Sequence, residues 1–214
     1  MHASKVDRIG IGRTQPKDSP MMRCLPQIAA AVAVVIGLVV APFGLSASEE
    51  ARFWSALKSG GHVVLMRHAL APGMGDPSEF ALGDCSTQRN LSVEGRKQAA
   101  RIGARFRANG LAAAQVLSSQ WCRCLETAEL LGLGPVEQLP VLNSFFQRPD
   151  RRNQQTEALK AWLDSQDLEG PLVLVTHQVN ITALTGVYPA SGEVVVVRRS
   201  ANGEMTVVGS IETD

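Results

Sequence analysis

The sequence has no large excess of charge of either sign and no internal repeat. Charged residues make up 19% of its 214 residues and the formal net charge is +1, which gives no support to nucleic-acid binding through bulk charge. Hydrophobic residues make up 45% of the chain, so a core can form and extensive disorder is excluded. At this length we expect one domain with a short appendage.

The sequence also lacks a hydrophobic run long enough to cross a membrane. The run IAAAVAVVIGLVV covers residues 28–40, whereas a spanning helix needs about 20 apolar residues. Arg23 precedes this run, and the small residues GLSAS follow it. Basic, apolar and small-residue segments in this order are typical of a secretory signal peptide.

We therefore predict a signal peptide over residues 1–47 and a single domain over residues 48–214. The mature protein would be periplasmic or secreted, without a membrane span after cleavage. An uncleaved N-terminal anchor is the alternative. The polar first 20 residues are unusual for a signal peptide, so translation starting at Met21 or Met22 is a further possibility.

Cysteine is scarce and lacks the spacing of a zinc site. Cys24 falls in the predicted signal peptide, which leaves Cys85, Cys122 and Cys124. None of these forms a Cys-x-x-Cys pair, so zinc binding is disfavoured. In an oxidising compartment we expect one disulfide, between Cys85 and either Cys122 or Cys124. Three free thiols are the alternative, if the chain faces the cytosol.

Lysine is rare beyond residue 46. Of the 16 basic residues there, 13 are arginine and three are lysine. The planar guanidinium is suited to fixed, bidentate recognition of anions.

Predicted strands and helices alternate along the chain. This alternation indicates an α/β protein with three layers, α/β/α, and a mainly parallel sheet that a C-terminal antiparallel hairpin closes. The predicted strands cover residues 62–68, 114–119, 171–177, 193–199 and 204–212, and a short extended segment covers 135–142. The predicted helices cover 49–59, 92–109, 121–131, 154–166 and a short segment from 179.

Two of the predicted strands end in histidine. Arg67 and His68 end the first strand, and His177 ends the strand PLVLVTH. Arg123 lies at the start of the helix that follows a third strand. Ligands of open α/β sheets bind at the carboxyl ends of the strands, where helix N-termini also present free N–H groups. The pattern predicts a phosphate pocket that contains a nucleophile.

These residues fall in four motifs whose order resembles that of the histidine phosphatase superfamily, also called phosphoglycerate mutase-like. The resemblance covers residues 60–200, nearly the whole predicted domain. Because this chain is small, carries cysteines and has a predicted export signal, it resembles the branch that includes a periplasmic lipopolysaccharide core heptose phosphatase. The four motifs are Arg67-His68-Ala69, Leu91-Ser92-x-x-Gly95-x-x-Gln98-Ala99, Ser119-x-x-x-Arg123-x-x-x-Thr127-Ala128 and Val175-Thr176-His177.

The resemblance implies a role for each strand-end residue. His68 would be the nucleophile that accepts the phosphoryl group, and Arg67, Arg123 and His177 would hold its oxygens. It implies no metal and no other cofactor, because two fixed guanidinium groups can neutralise the transferred phosphoryl group. Ala69 stands where the superfamily has glycine, which is a small change.

The loop over residues 143–153 is rich in arginine. Arg148, Arg151 and Arg152 are candidate contacts to an anionic substrate, and a solvated loop is the alternative.

A general acid is missing from the positions where many relatives have one. Those positions hold Asn143, Ser144 and Gln178. Either a loop carboxyl reaches the pocket or the substrate has a good leaving group. The candidate carboxyls are Asp76, Glu79, Asp84 and Asp150.

We therefore expect an exported, metal-independent phosphomonoesterase that acts through a phosphohistidine intermediate. Its substrate would be a phosphorylated small molecule or an envelope glycan, such as a cell-envelope sugar phosphate. A phosphohistidine or phosphoprotein phosphatase and a non-catalytic phosphate-binding module are the alternatives.

Overall fold

The computed structural model describes residues 47–201 and 203–213, so nearly all of the predicted signal peptide lies outside the described residues. Within these ranges the chain forms six strands and five α-helices. The strands are β1 (His62–Arg67), β2 (Gln115–Ser118), β3 (Val136–Gln138), β4 (Leu172–Thr176), β5 (Val194–Arg199) and β6 (Met205–Ile211). The helices are α1 (Ala47–Lys58), α2 (Val93–Ala108), α3 (Cys122–Leu131), α4 (Arg152–Asp164) and α5 (Gln178–Thr185).

All six strands form one sheet in the order β3-β2-β4-β1-β5-β6. The first four strands of this order are parallel to one another, whereas β5 is antiparallel to β1 and β6 is antiparallel to β5. The predicted fold class, including the C-terminal hairpin, is confirmed.

Helices cover both faces of the sheet. Successive side chains of β1 point to opposite faces, so Val64 and Met66 join a core with α1, α2 and α3, while Val63 and Leu65 join a core with α4 and α5. Burial on both faces explains the continuous apolar runs of β1 and β4, since neither strand has a solvent-facing side.

Two glycines of α2 allow backbones to approach closely. A Cβ atom on Gly103 would lie 1.9 Å from the carbonyl oxygen of Leu131, at the end of α3. A Cβ atom on Gly95 would lie 2.0 Å from the carbonyl oxygen of Leu70. Ser92 begins this helix as predicted, because its side chain accepts a hydrogen bond from the Gly95 N–H at 3.0 Å. Helix α2 therefore packs directly against the segment that follows His68.

A disulfide joins the loop between β1 and α2 to the start of α3. It links Cys85 to Cys122, one of the two predicted partners, across a separation of 37 residues. Cys124 is a free, buried thiol. Burial raises the pKa of Cys124 to about 12, so this thiol is not reactive.

No helix in the described part of the chain is both long enough and apolar enough to cross a membrane.

Candidate active site

The carboxyl ends of β1, β4 and β2 lie side by side, because β4 pairs with both of the other strands. Arg67 lies opposite Thr176 in the register of β1 and β4. The next residue, His68, donates its backbone N–H to the carbonyl oxygen of Thr176 at 3.0 Å. The rings of His68 and His177 therefore meet, with centroids 5.6 Å apart.

His68 is buried and is held in one tautomer. Its Nδ1 atom lies 2.8 Å from the carbonyl oxygen of Ala69. Because a carbonyl oxygen only accepts, Nδ1 carries the ring hydrogen and Nε2 carries the lone pair. No group in the described residues forms a hydrogen bond with this Nε2 atom, and His68 lines a cavity.

The surroundings of His68 keep its imidazole neutral. Burial, followed by the charge of Arg123, lowers its pKa to about 3, although the hydrogen bond to Ala69 acts in the opposite direction. Arg67 and Arg89 lower the pKa further. Nε2 is therefore an available nucleophile at neutral pH.

His177 is also buried and neutral. Burial, followed by the charges of His68 and Arg123, lowers its pKa well below the usual value. Its Nε2 atom lies 2.9 Å from the hydroxyl oxygen of Ser119. That hydroxyl donates a hydrogen bond to Oδ1 of Asn143 at 3.2 Å, so Ser119 links His177 to the loop after β3.

Arg123 is fixed by an ion pair that the sequence did not predict. Both oxygens of Asp76 accept hydrogen bonds from its guanidinium, from Nη1 at 2.6 Å and from Nη2 at 3.1 Å. The Arg123 and Asp76 side chains are only 3% and 4% exposed. Nη1 also donates to the carbonyl oxygen of Arg89 at 3.3 Å.

These contacts leave one edge of Arg123 unpaired. A guanidinium has five N–H groups, and Asp76 and the Arg89 carbonyl engage both on Nη1 and one on Nη2. The Nε–H and the second Nη2–H remain, and they point the same way from one edge. Nε of Arg123 is buried without a hydrogen-bond partner in the described residues, a costly state unless a ligand supplies the acceptor.

Arg67 has the same free edge. Its Nη1 atom donates to the carbonyl oxygen of Pro189 at 2.9 Å, and its Nε atom is buried without a partner in that part of the chain. Burial, followed by the charge of Arg123, lowers the pKa of Arg67. Two guanidinium edges in one cavity form a bidentate site for a phosphoryl group.

Asp76 is a carboxylate and not a proton donor. Burial raises its pKa, but the hydrogen bonds and charge of Arg123 lower it more, and the net pKa lies below the usual value. The Trp121 Nε1–H also donates to Asp76, at 3.0 Å, and the Arg89 N–H does so at 3.3 Å. Asp76 is thus the centre of a network around Arg123.

Arg89 is a third guanidinium in this cavity, and the sequence analysis missed it. Its Nε atom donates to the carbonyl oxygen of Gly75 at 2.8 Å, and its Nη1 atom donates to that of Ala71. Arg89 thereby holds the loop that carries Asp76. The loop has no helical or strand periodicity, so only its position two residues before the Leu91-Ser92 motif distinguished this arginine.

The other three candidate acids lie outside the cavity. Glu79 accepts a hydrogen bond from Ser78, Asp84 accepts hydrogen bonds from Ser86, and Asp150 pairs with Arg148. Of the four carboxyls, only Asp76 lines the cavity.

The arginines of the 143–153 loop also lie outside this cavity. Arg148 is 65% exposed and forms a surface ion pair with Asp150, and Arg151 and Arg152 are exposed. The structure does not bring these three residues to His68, so their contact with substrate stays a prediction.

The described residues contain no group of three or more His, Cys, Asp or Glu side chains that could hold a metal ion.

Comparison with protein families identifies the segment that carries most of these residues. Residues 63–146 match the histidine phosphatase superfamily, branch 1. This segment includes Arg67, His68, Asp76, Arg89 and Arg123. Over this segment the chain is similar to the histidine phosphatase superfamily, and the similarity supports a phosphatase enzyme.

Several solved structures share the fold of this chain. The protein histidine phosphatase SixA, complexed with tungstate, is 18% identical, with 71% of this chain and 96% of SixA covered and a TM-score of 0.51. YhfR of Bacillus stearothermophilus is 21% identical, with 72% and 96% covered and a TM-score of 0.53. A phosphoserine phosphatase of Entamoeba histolytica is 12% identical, with 72% and 98% covered and a TM-score of 0.50. No curated protein matches this chain.

Proposed function

We propose that this protein is a metal-independent phosphomonoesterase that carries the phosphoryl group on Nε2 of His68. One observation carries the proposal: Nε2 of a buried, neutral His68 is free in a cavity with unpaired guanidinium edges on Arg67 and Arg123. Phosphoryl transfer needs mainly positioning and neutralisation of charge, and this cavity supplies both.

In the first step, Nε2 of His68 attacks phosphorus and the bond from phosphorus to the leaving oxygen breaks. The leaving oxygen keeps the bonding electron pair. The Nδ1–H of His68 stays hydrogen-bonded to the carbonyl oxygen of Ala69. The positive charge of the phosphorylated ring is therefore stabilised by the carbonyl dipole. Arg67, Arg123 and His177 bind the three phosphoryl oxygens.

In the second step, water attacks phosphorus and the bond from phosphorus to Nε2 breaks. The electron pair returns to His68, one proton of the water goes to solvent, and inorganic phosphate leaves. Splitting one difficult displacement into two steps is the usual advantage of a covalent intermediate.

Export and an envelope substrate are the finer parts of the proposal. The signal-peptide pattern of residues 1–47 supports export, and a disulfide between Cys85 and Cys122 fits an oxidising compartment. A periplasmic or secreted protein would meet phosphorylated envelope components, and the resemblance to the exported branch suggests a sugar phosphate.

One observation favours a phosphohistidine phosphatase as the second candidate function. Among the described residues that line the cavity, Asp76 is the only acid, and it is an ion-paired carboxylate that cannot donate a proton. A substrate whose leaving group needs no proton fits such a site, and SixA is a protein histidine phosphatase of the same fold.

Hydrolysis of p-nitrophenyl phosphate by the purified chain, with and without EDTA, tests the main proposal. We expect turnover that EDTA does not change, inhibition by vanadate, and an acid-labile phosphoenzyme when the reaction is quenched early. The variant His68→Asn should form no phosphoenzyme, whereas the variant His62→Asn, at the opposite end of β1 from Arg67, should form it normally. A strict requirement for a divalent cation, or turnover by folded His68→Asn, would contradict the mechanism.

A panel of substrates then separates the finer candidates. Envelope sugar phosphates and a phosphohistidine-containing protein should be compared by kcat/KM under the same conditions. A sugar phosphate with the highest kcat/KM supports the envelope role, and the phosphoprotein with the highest value supports the second candidate.

A further inference from the structure

The mouth of the cavity carries two large apolar side chains, in contrast to its cationic floor. Met74 is 86% exposed and Phe146 is 50% exposed, and both line the opening above Arg67, His68 and Arg123. Exposed large apolar side chains at the entrance of a site indicate contact with an apolar ligand.

The two side chains come from separate loops that are joined at this point. The ring of Phe146 lies 4.0 Å from the position that a Cβ atom on Gly75 would occupy, next to Met74. Gln147 donates from its side chain to the carbonyl oxygen of Asp76 at 3.2 Å. Because Asp76 is ion-paired with Arg123, the loop that carries Met74 is anchored to the phosphate site itself.

The cavity is small. Its volume is about 110 Å³, below the roughly 300–1,000 Å³ of pockets for drug-sized ligands. With the phosphoryl group at Nε2 of His68, the leaving group of the substrate lies at the mouth, against Met74 and Phe146.

The described residues at the mouth include no acid that could protonate the leaving oxygen. The polar side chains there are the hydroxyl of Ser144 and the amides of Gln147 and Gln178, and the Asp76 carboxylate is paired with Arg123. The oxygen must depart as an anion. A phenol, with a pKa of about 10 like that of tyrosine, does so far more readily than an aliphatic alcohol, whose pKa is near that of water at about 15.7.

We infer that the preferred substrate is an aryl phosphate, a phosphate monoester of a phenolic group whose ring packs against Met74 and Phe146. The inference rests on the proposed phosphohistidine mechanism and competes with a sugar phosphate as the substrate, because a sugar hydroxyl is an aliphatic alcohol. Aromatic rings pack favourably on both phenylalanine and the methionine thioether, so one ligand satisfies both the apolar mouth and the missing acid.

The first step is then fully specified. Nε2 of His68 forms a bond to phosphorus, and the bond from phosphorus to the phenolic oxygen breaks with its electron pair on the phenolate. Water at the open mouth protonates the phenolate. Hydrolysis of phospho-His68 releases the matching proton, so the sum is an aryl phosphate and water giving a phenol and inorganic phosphate.

Three substrates separate the two requirements. Phenyl phosphate has both a good leaving group and a ring, acetyl phosphate has a good leaving group without a ring, and glycerol phosphate has neither. We expect kcat/KM for phenyl phosphate to exceed that for glycerol phosphate by at least about 100-fold. In the double variant Met74→Ala/Phe146→Ala, the ratio of kcat/KM for phenyl phosphate to that for acetyl phosphate should fall roughly three- to tenfold.

Val208→Ala is the matched control, because Val208 is 45% exposed on β6 and does not line the cavity. It should leave that ratio unchanged. Equal kcat/KM for glycerol phosphate and phenyl phosphate, or an unchanged ratio in the double variant, would overturn the inference while the proposed function stands. If the wild-type chain hydrolyses none of the three substrates and none of the sugar phosphates or phosphoproteins of the panel above, the proposed function itself fails.

Discussion

Asp76 binds Arg123 along the end of its guanidinium and leaves the side edge of that guanidinium unpaired. The two hydrogen bonds, 2.6 and 3.1 Å long, engage Nη1 and Nη2, while Nε stays without a partner in the described residues. A carboxylate at the phosphate site could be a competitor of phosphate. This geometry instead makes Asp76 a positioning residue, since the edge it leaves is the one that a phosphoryl group needs.

Replacing Asp76 tests this relationship. Asp76→Asn should lower kcat/KM by about 10- to 100-fold, because small displacements of a binding group are costly, and should weaken inhibition by vanadate. Asp76→Glu should recover part of both. The control Glu79→Gln, on the exposed part of the same loop, should change neither. If Asp76 were a competitor of phosphate, Asp76→Asn would instead bind vanadate more tightly.

The buried histidines make stability depend on pH. The pKa of His68 is about 3 in the folded chain, below the value of about 6.5 expected after unfolding. Between these values the unfolded chain binds a proton that the folded chain does not. The free energy of unfolding should therefore fall as pH falls below 6.5, by up to about 1.4 kcal/mol per pH unit for this one proton. The pKa of His177 is lowered too, so it adds to the slope in the same direction.

Urea unfolding at several pH values between 4 and 7 measures this slope. His68→Asn should reduce the slope, and His62→Asn serves as the comparison. The same slope in His68→Asn and in the wild type would show that His68 does not stay neutral in the folded chain.

The disulfide should stabilise both the fold and the site. The double variant Cys85→Ser/Cys122→Ser should lose about 2–4 kcal/mol of the free energy of unfolding and should have a lower kcat/KM, since the bond joins the Asp76 loop to the helix start that carries Arg123. A reducing agent should affect the wild type and not the double variant.

Mass analysis of the non-reduced, alkylated chain purified from the periplasm tests the bridge directly. One alkylated thiol, that of Cys124, is the expected result for a chain that has lost residues 1–47. Three alkylated thiols would refute the bridge.

Gly103→Ala should strongly destabilise the protein. The added Cβ atom would lie 1.9 Å from the carbonyl oxygen of Leu131, so α2 and α3 would have to separate. We expect a loss of about 2 kcal/mol or more in thermal or urea unfolding. Arg101→Ala, on the exposed side of the same helix, should change stability by less than about 0.5 kcal/mol. Equal stability of the two variants would contradict the close packing.

The positions of the strand-end residues were predictable because they depend on the residues next to them in the sequence. Arg67, His68 and His177 follow apolar runs that bury on both faces of a parallel sheet, and the carboxyl ends of such strands meet at one edge. Arg123 was predictable from its place in a motif at a helix start. The structure brings these four residues together as the sequence predicted.

Asp76 was one of four candidate carboxyls in the sequence, and nothing in the pattern distinguished it. Arg89 gave no signal, because an irregular loop has no period from which the direction of a side chain can be deduced. The choice of Cys122 over Cys124 has a similar cause. Cys122 precedes Arg123 by one residue and Cys124 follows it by one residue. Only the path of the loop decides which of them meets Cys85.

By itself, the sequence determined the order of strands and helices, the parallel sheet and the two histidines at its edge, because burial patterns and strand ends are properties of neighbouring residues. Only the tertiary structure decided which acid holds Arg123, which edge of that guanidinium is free and which apolar side chains surround the opening. These depend on contacts between residues far apart in the chain, such as Asp76 with Arg123 and Gly75 with Phe146. Such contacts form only when the loops fold over the sheet edge.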